Sequence, residues 1–409
     1  MKKKLLITLT VLAVLLIAAT FIGPRLILNA VRQPQPESGY AYSDAFATTY
    51  EDVRSRISAL CADLGAEVFS HPIDEADGLY IDSFYLPAEN QQTNLIVLTT
   101  GVHGMEGYIG SVMLEVFFGE VYPTLDTGST GVLVVSNVNP YGMKYFRRYN
   151  ENNVDLNRNF ILDWSSFDLA SNQEYPKVDT FLGPTGKIRN ALWHEAGFYL
   201  SLGKTAITDG AGTISDALLT GQYEYPQGVY YGGTGDEAST VYLKEVFQKC
   251  LDSSYENIIH IDIHSGYGPR YNMVIFNSVF ETMTEAESVE AFGYDHVIAF
   301  DSESFYATTG DTTDFFYRLA QQEQAEATLF STCFEFGTIG DDFFDTILSL
   351  KYTVDENRNH WYPTDNAVSA EILRQNYLEL YYPTETAWRQ KTIQDFLTAT
   401  QGILHVKLK

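Results

Sequence analysis

Residues 5–23 form an uncharged run of 19 positions behind Lys2, Lys3 and Lys4. That is close to the ~20 residues a helix needs to cross a bilayer. It exceeds the usual ~7–15 residue apolar segment of a cleaved signal. The small residues Ala18–Thr20 are followed by Phe21 and Ile22, a poor cleavage site. The run therefore reads as a signal anchor, residues 1–33. Its lysines stay on the cytoplasmic side, and residues 34–409 form an extracytoplasmic domain that is secreted only if the anchor is cut.

Beyond the anchor, apolar positions at helical spacing predict a helix over residues 43–64, stopped by Gly65. Residues 78–87 and 94–101 read as strands. A helix is predicted over 108–119, ended by Gly119, and a strand over 131–140, closed by Pro140. The second half repeats the theme: helix 241–251, strand 257–264, helix 311–323 and strand 327–338. Strands alternating with helices imply an α/β fold: one large domain with a mixed, mostly parallel twisted sheet and helices on both faces. Ligands of such sheets bind beyond the carboxyl ends of the strands. Residues 161–240, rich in Gly and Tyr, show poor periodicity and read as long loops with one or two helices walling a site.

Charge narrows the partners. Five of the 26 basic residues and none of the 53 acidic ones lie in residues 1–33, so the remainder carries a formal charge of −32. Such a surface repels nucleic acid and other polyanions. The membrane contact expected is the N-terminal helix alone. Any anion site must be local. The three cysteines, Cys61, Cys250 and Cys333, include no CxxC pair, which argues against a cysteine-based metal or redox site. Cys333 reads as a small buried hydrophobe.

Residues 147–160, RRYNENNVDLNRNF, stand out. Ten of the fourteen are Arg, Asn, Asp or Glu, and five are Asn. Planar side chains with fixed hydrogen-bond geometry suit a planar anion such as a carboxylate. An Asn-rich capping loop is the plain alternative.

His103 and Glu106 have HxxE spacing in a glycine-rich turn after the strand 94–101. Glycines let the backbone fold tightly enough for both side chains to converge. On the strand 257–264, His260, Asp262 and His264 face one way at period two, and Ile259, Ile261 and Ile263 the other. His264 sits at the carboxyl end, whereas His260 lies about 13 Å back along the strand and reads as structural. His103, Glu106 and His264 make a three-ligand set for one zinc ion with a position left for water. A zinc hydrolase also needs a base for the attacking water. Glu335, between Phe334 and Phe336 on an apolar strand, is the candidate, and its flanks should raise its pKa.

Five segments in this order, HGME, RRYN…NVDLNRNF, IDIHSG, YATTGDTTDFF and CFEFGT, resemble the zinc carboxypeptidase family, the carboxypeptidase A superfamily. The resemblance spans residues 94–337, and its version of the motifs looks like a bacterial branch of poorly defined specificity. It implies that His103, Glu106 and His264 bind zinc and that Glu335 activates the attacking water. Arg148, placed by Asn150, would stabilise the oxyanion, with Arg147 as the fallback. Asn157 and Arg158 would hold the substrate's terminal carboxylate, and Asp155 would brace His103. Tyr306, with Gly310 and Asp314 at the family's spacing, would close over the substrate. Thr313 falls at the specificity position, which leaves room for apolar or small polar side chains.

The resulting expectation is a zinc metallocarboxypeptidase acting on peptides with a free carboxylate. Two alternatives stay open: a zinc amidohydrolase of small N-acyl amino acids, of the aspartoacylase/desuccinylase kind, and a non-catalytic peptide-binding module. No pro-segment is expected between anchor and enzyme. Oligomeric state is not legible.

Overall fold

The computed structural model describes residues 2–299 and 309–409. The uncharged run lies in helix α1 (Lys2–Val31). Its stretch Thr8–Val31 is the one helix among the described residues long and apolar enough to cross a membrane. The helix expected over 43–64 is broken. A 3-10 turn occupies Ser43–Ala45, and α2 (Tyr50–Asp63) starts where the Thr49 hydroxyl accepts a hydrogen bond from the Asp52 amide. That bond satisfies one of the orphan donors at a helix start.

Strands β1 (Glu67–Asp74) and β2 (Leu79–Leu86) pair antiparallel, followed by β3 (Asn94–Thr100). Helix α3 (Gly107–Val116) runs on into a π turn over Phe117–Val121 instead of stopping at Gly119. A Cβ at Gly119 would stand 2.2 Å from the Tyr42 hydroxyl, so this glycine serves a close approach and not a cap. After β4 (Thr130–Ser136), Pro140 opens the short helix α4 (Pro140–Lys144), with Asn139 as its cap. Proline suits that position because its missing N–H has no helical partner there.

Residues 161–240 hold three α-helices: α5 (Tyr175–Leu182), α6 (Ala191–Thr205) and α7 (Ala211–Leu219). Then follow α8 (Ala238–Leu251), β5 (Asn257–Ser265), β6 (Met273–Asn277), α9 (Glu285–Phe292) and β7 (Val297–Ala299). The chain ends with α10 (Thr312–Gln322), β8 (Thr328–Phe336), α11 (Phe343–Trp361), α12 (Ala367–Tyr381) and α13 (Thr386–Lys407).

The sheet order is β1-β2-β4-β3-β5-β8-β6-β7. Its centre, β4-β3-β5-β8, is parallel, and antiparallel pairs flank it at β2/β4 and β8/β6. Both faces are covered, as a parallel sheet requires. Ile259, Ile261 and Ile263 pack on one side with residues of α2, α3 and α13. Ile258 packs on the other with α8 and α10. A third apolar cluster joins α5, α6 and α7 to Leu350 and Val354 of α11. The three cysteines are free, and Cys61 and Cys250 are buried.

Candidate active site

The parallel register decides where the chemistry gathers. Thr99 of β3 pairs with Asp262 of β5, and His264 pairs with Glu335 of β8. Side chains paired this way share a face. Three carboxyl ends therefore deliver their polar residues to one spot. His103 and Glu106 join them from the 3-10 turn Gly104–Glu106. That turn lies so close to α4 that a Cβ at Gly104 would stand 2.1 Å from the Gly142 carbonyl carbon. Its backbone is tied to the arginine segment: the amides of Gly104 and Met105 donate to the carbonyls of Arg148 and Arg147.

All three proposed ligands are buried. His103 Nδ1 lies 2.9 Å from Glu106 Oε1, and His264 Nδ1 lies 3.0 Å from Glu106 Oε2. The two Nδ1 atoms are 3.2 Å apart. On the far side of each ring, His103 Nε2 donates to Asp155 Oδ1 (3.1 Å) and His264 Nε2 donates to Asp262 Oδ2 (2.8 Å). An ionised carboxylate only accepts, so these two bonds put the ring protons on Nε2. Both Nδ1 lone pairs then point at each other and at the Glu106 oxygens. A cluster of acceptors alone repels itself unless a cation sits among them. Donors bound at ~2.0–2.2 Å around one tetrahedral zinc lie about 3.3 Å from one another, so the spacing fits that ion.

Electrostatics agree. Burial lifts the Glu106 carboxyl, but the charges and hydrogen bonds of His103 and His264 outweigh it and bring it down to about 2. Burial lowers His264, but Asp262 and Glu106 together hold it well above the ordinary histidine range. Metal-free, the cluster takes up a proton where a cation would go. His260 stays apart. Its Nδ1 meets Ser331 Oγ, its Nε2 meets Thr99 Oγ1, and burial lowers it to about 4.

Glu335 borders this cluster, and its Oε1 accepts from the Tyr267 amide at 3.0 Å. Burial raises its carboxyl first and the negative Glu106 second, to about 8, against the opposing pull of His264 and Arg148.

The two adjacent arginines part ways. Arg148 Nε donates to Asp155 Oδ2 (2.9 Å), its Nη1 lies 3.6 Å from Glu106 Oε1, and its amide donates to the Tyr377 hydroxyl. Arg147 turns away, donating to Glu356 and Asn357 of α11 and to Asn153. Asn150 binds Glu237 and closes its own loop, accepting from the amides of Asn152 and Val154. Arg148 is held instead by Asp155, Tyr377 and Asn139, whose amide donates to the Arg148 carbonyl.

Asn157 Oδ1 accepts from the Thr312 amide (3.0 Å), which leaves its own NH2 group as the donor. Arg158 is buried and gives Nη1 to the Asn157 carbonyl, while its Nε has no partner among the described residues. A buried orphan donor on a guanidinium calls for an acceptor. Gly221 presses on that side chain: a Cβ there would stand 2.8 Å from Arg158 Cδ. Thr313 Oγ1 donates to Asp311 at the cap of α10. Tyr306 lies outside the described residues.

Asp262 has a role that the sequence reading did not assign. It accepts from His264, Thr99 and Thr312. The signal was present: two residues before a ligand on a strand means the same face. Tyr381 is also at the site, where burial pushes its hydroxyl up and the charge of Arg148 opposes that push, and nothing in its local sequence marked it.

A family model described as "Protein of unknown function (DUF2817)" matches residues 46–395. The chain belongs to this family. No curated protein matches the chain. Among solved structures, the carboxypeptidase A from Helicoverpa armigera is 13% identical, with a TM-score of 0.45 over 88% of this chain and 79% of that one. Bovine thrombin-activatable fibrinolysis inhibitor, solved with tick carboxypeptidase inhibitor, is 14% identical, with a TM-score of 0.41 over 81% and 97%. The succinylglutamate desuccinylase from Chromobacterium violaceum is 12% identical, with a TM-score of 0.33 over 80% and 73%.

Proposed function

We propose that this chain is a zinc-dependent hydrolase of the carboxypeptidase type, removing a C-terminal residue from a peptide outside the membrane that α1 anchors. The observation that carries the reading is the acceptor-only convergence of His103 Nδ1, His264 Nδ1 and the Glu106 carboxylate beside Glu335. Those three residues would hold the ion. Bound there, zinc supplies Lewis-acid chemistry, polarising a carbonyl and acidifying a water.

The chain's own groups do the rest. Glu335 takes the proton of the attacking water and returns it to the leaving nitrogen, a task suited to a carboxyl near neutrality. Arg148 faces the negative charge that develops on the carbonyl oxygen. Asp155 and Asp262 hold both imidazoles in the Nε2–H tautomer. Arg158, with its unpartnered Nε, and Asn157 hold the terminal carboxylate. Thr313 would border the side-chain pocket.

One observation favours a second reading, hydrolysis of a small N-acyl amino acid. Gly221 of the 161–240 insertion packs on the Arg158 side chain, and the Tyr223 hydroxyl donates to the Arg158 carbonyl, so the insertion closes around this residue. Purified protein tested for zinc content and against matched panels of dipeptides and N-acyl amino acids separates the readings. We expect one tightly held zinc and release of C-terminal residues from dipeptides. Turnover of N-acyl amino acids alone would replace the peptidase by the amidohydrolase. Less than one equivalent of metal, with no activity after zinc addition, would favour a binding module.

A further inference from the structure

Helix α6 is built inside out. Its two titratable residues near the start both point into the domain. His194 Nε2 bonds Asp355, and Glu195 pairs with Lys351 at 2.8 Å, both partners buried on α11. Its outward stripe is mostly apolar or small: Trp193, Ala196, Gly197, Leu200 and Gly203 are exposed, with Lys204 as its one charge, followed by Ile207 in the next turn. Leu200 is 76% exposed and Ile207 is 87% exposed. These positions recur at spacings of three and four, which is one face of a helix. A soluble surface helix shows the reverse arrangement. Residues 186–210 hold Lys187, Arg189 and Lys204 against two acids, the inward-turned Glu195 and the exposed Asp209 at the far end, in a domain whose formal charge is −32.

The same helix touches the anchor. Asn190 Nδ2 donates to the Thr20 carbonyl (2.8 Å), Trp193 Nε1 donates to Thr20 Oγ1 (3.1 Å), and Gly23 packs on Leu192 with no room for a side chain. Above this contact Gln33 is locked to Gln375 and Thr384. The lengths then decide the depth. From Leu5 to Ile17 the helix spans only about 20 Å at ~1.5 Å per residue, short of a hydrocarbon core of roughly 30 Å. The run to Gly23 reaches about 28 Å. Thr20 must therefore lie inside the membrane edge, and whatever is bonded to Thr20 lies there too.

We propose that α6 and the turn after it rest in the bilayer that α1 crosses, in the leaflet next to the catalytic domain. Trp193 sits at headgroup level and Leu200 and Ile207 reach the acyl chains. Aromatic residues favour that level, and an apolar stripe flanked by Lys and Arg is the pattern of an interfacial helix. The exposed Phe343 and Phe344 do not share this pattern, because Asp341, Asp342 and Asp345 surround them.

The test uses the full chain in vesicles of phosphatidylcholine and phosphatidylglycerol. An environment-sensitive fluorophore is placed in turn at Leu200→Cys, Ile207→Cys, Leu12→Cys and, on edge strand β1, Glu67→Cys. Doxyl-labelled lipids should quench positions 200, 207 and 12 and leave 67 bright. Quenching at 12 with water-like emission at 200 and 207 would overturn the proposal while leaving the anchor in place. No quenching at 12 would overturn it by removing the anchor. Shielding at 200 that depends on protein concentration and not on doxyl lipid would assign the stripe to a second copy of this chain, and so also overturn it. A bilayer contact would also stand or fall independently of which amide the site hydrolyses.

Discussion

The carboxyl ends of β3, β5 and β8 and the helix α6 both bring acids and histidines into the interior, to different ends. In the sheet, His103, His264 and Glu106 are braced from behind by Asp155 and Asp262, so their free lone pairs face one another and leave a place for a cation. On α6, His194 and Glu195 are consumed by Asp355 and Lys351, and nothing is left over. The first arrangement is poised for a ligand and the second is closed. What distinguishes them is whether each acceptor already has a donor, not residue type or burial. The closed network turns the acid and the histidine of α6 inward and leaves Lys204 as the one charge on its outer side.

Mutations at the two places should part accordingly. The largest effect is expected for Glu335→Gln: turnover falls by about 10²–10⁴, the range for removing a general base, while zinc content stays unchanged. Preserved turnover would remove Glu335 from the mechanism. Asp355→Ala should act on the fold and not on the chemistry. It strips His194 of its buried partner and leaves Lys351 with Glu195 alone, at a cost of up to about 3 kcal/mol in denaturant unfolding. Activity per folded molecule should remain. Asp262→Asn comes next. Replacing the charged, acceptor-only partner that fixes the His264 tautomer should weaken metal binding by about 10–100-fold, read by competition with a chelator. An unchanged affinity would make Asp262 a mere core group.

The smallest effect is a slope. Glu335 is raised to about 8 by burial and by Glu106, so between the ordinary carboxyl value and that figure the metal-free folded state holds a proton that the unfolded chain has lost. Its contribution to stability is therefore fully present at low pH and is lost as pH rises toward about 8. Thermal unfolding of chelator-treated protein at pH 5 and 8 should show a fall for wild type that is shallower in Glu335→Gln. Equal slopes would mean that the group titrates normally.

How much was legible follows from how local each cause is. Strand β5 was readable because period two assigns His264 and Ile263 to opposite faces without reference to anything else. Edge strand β1, half exposed and pairing only with β2, has no such alternation and escaped notice. The helix over 43–64 was overextended because the break before Thr49 depends on cap chemistry, which apolar spacing does not record. The insertion looked like loops because α6 carries apolar residues on both sides, Phe198 inward and Trp193 and Leu200 outward, which blurs the helical period.

Local sequence carries the alternation of strands and helices, the HxxE turn, the facing of β5 and the concentration of arginine and asparagine in residues 147–160. All of these are set by neighbours a few residues apart. Long-range packing, in contrast, brings Arg148 to the site and buries Arg147 against α11. Two adjacent residues in an irregular loop have no period to sort them, and their partners Tyr377, Glu356 and Asn357 lie more than two hundred residues away. The fold likewise places His264 opposite Glu335, because that depends on the parallel register of β5 and β8, which long-range pairing sets.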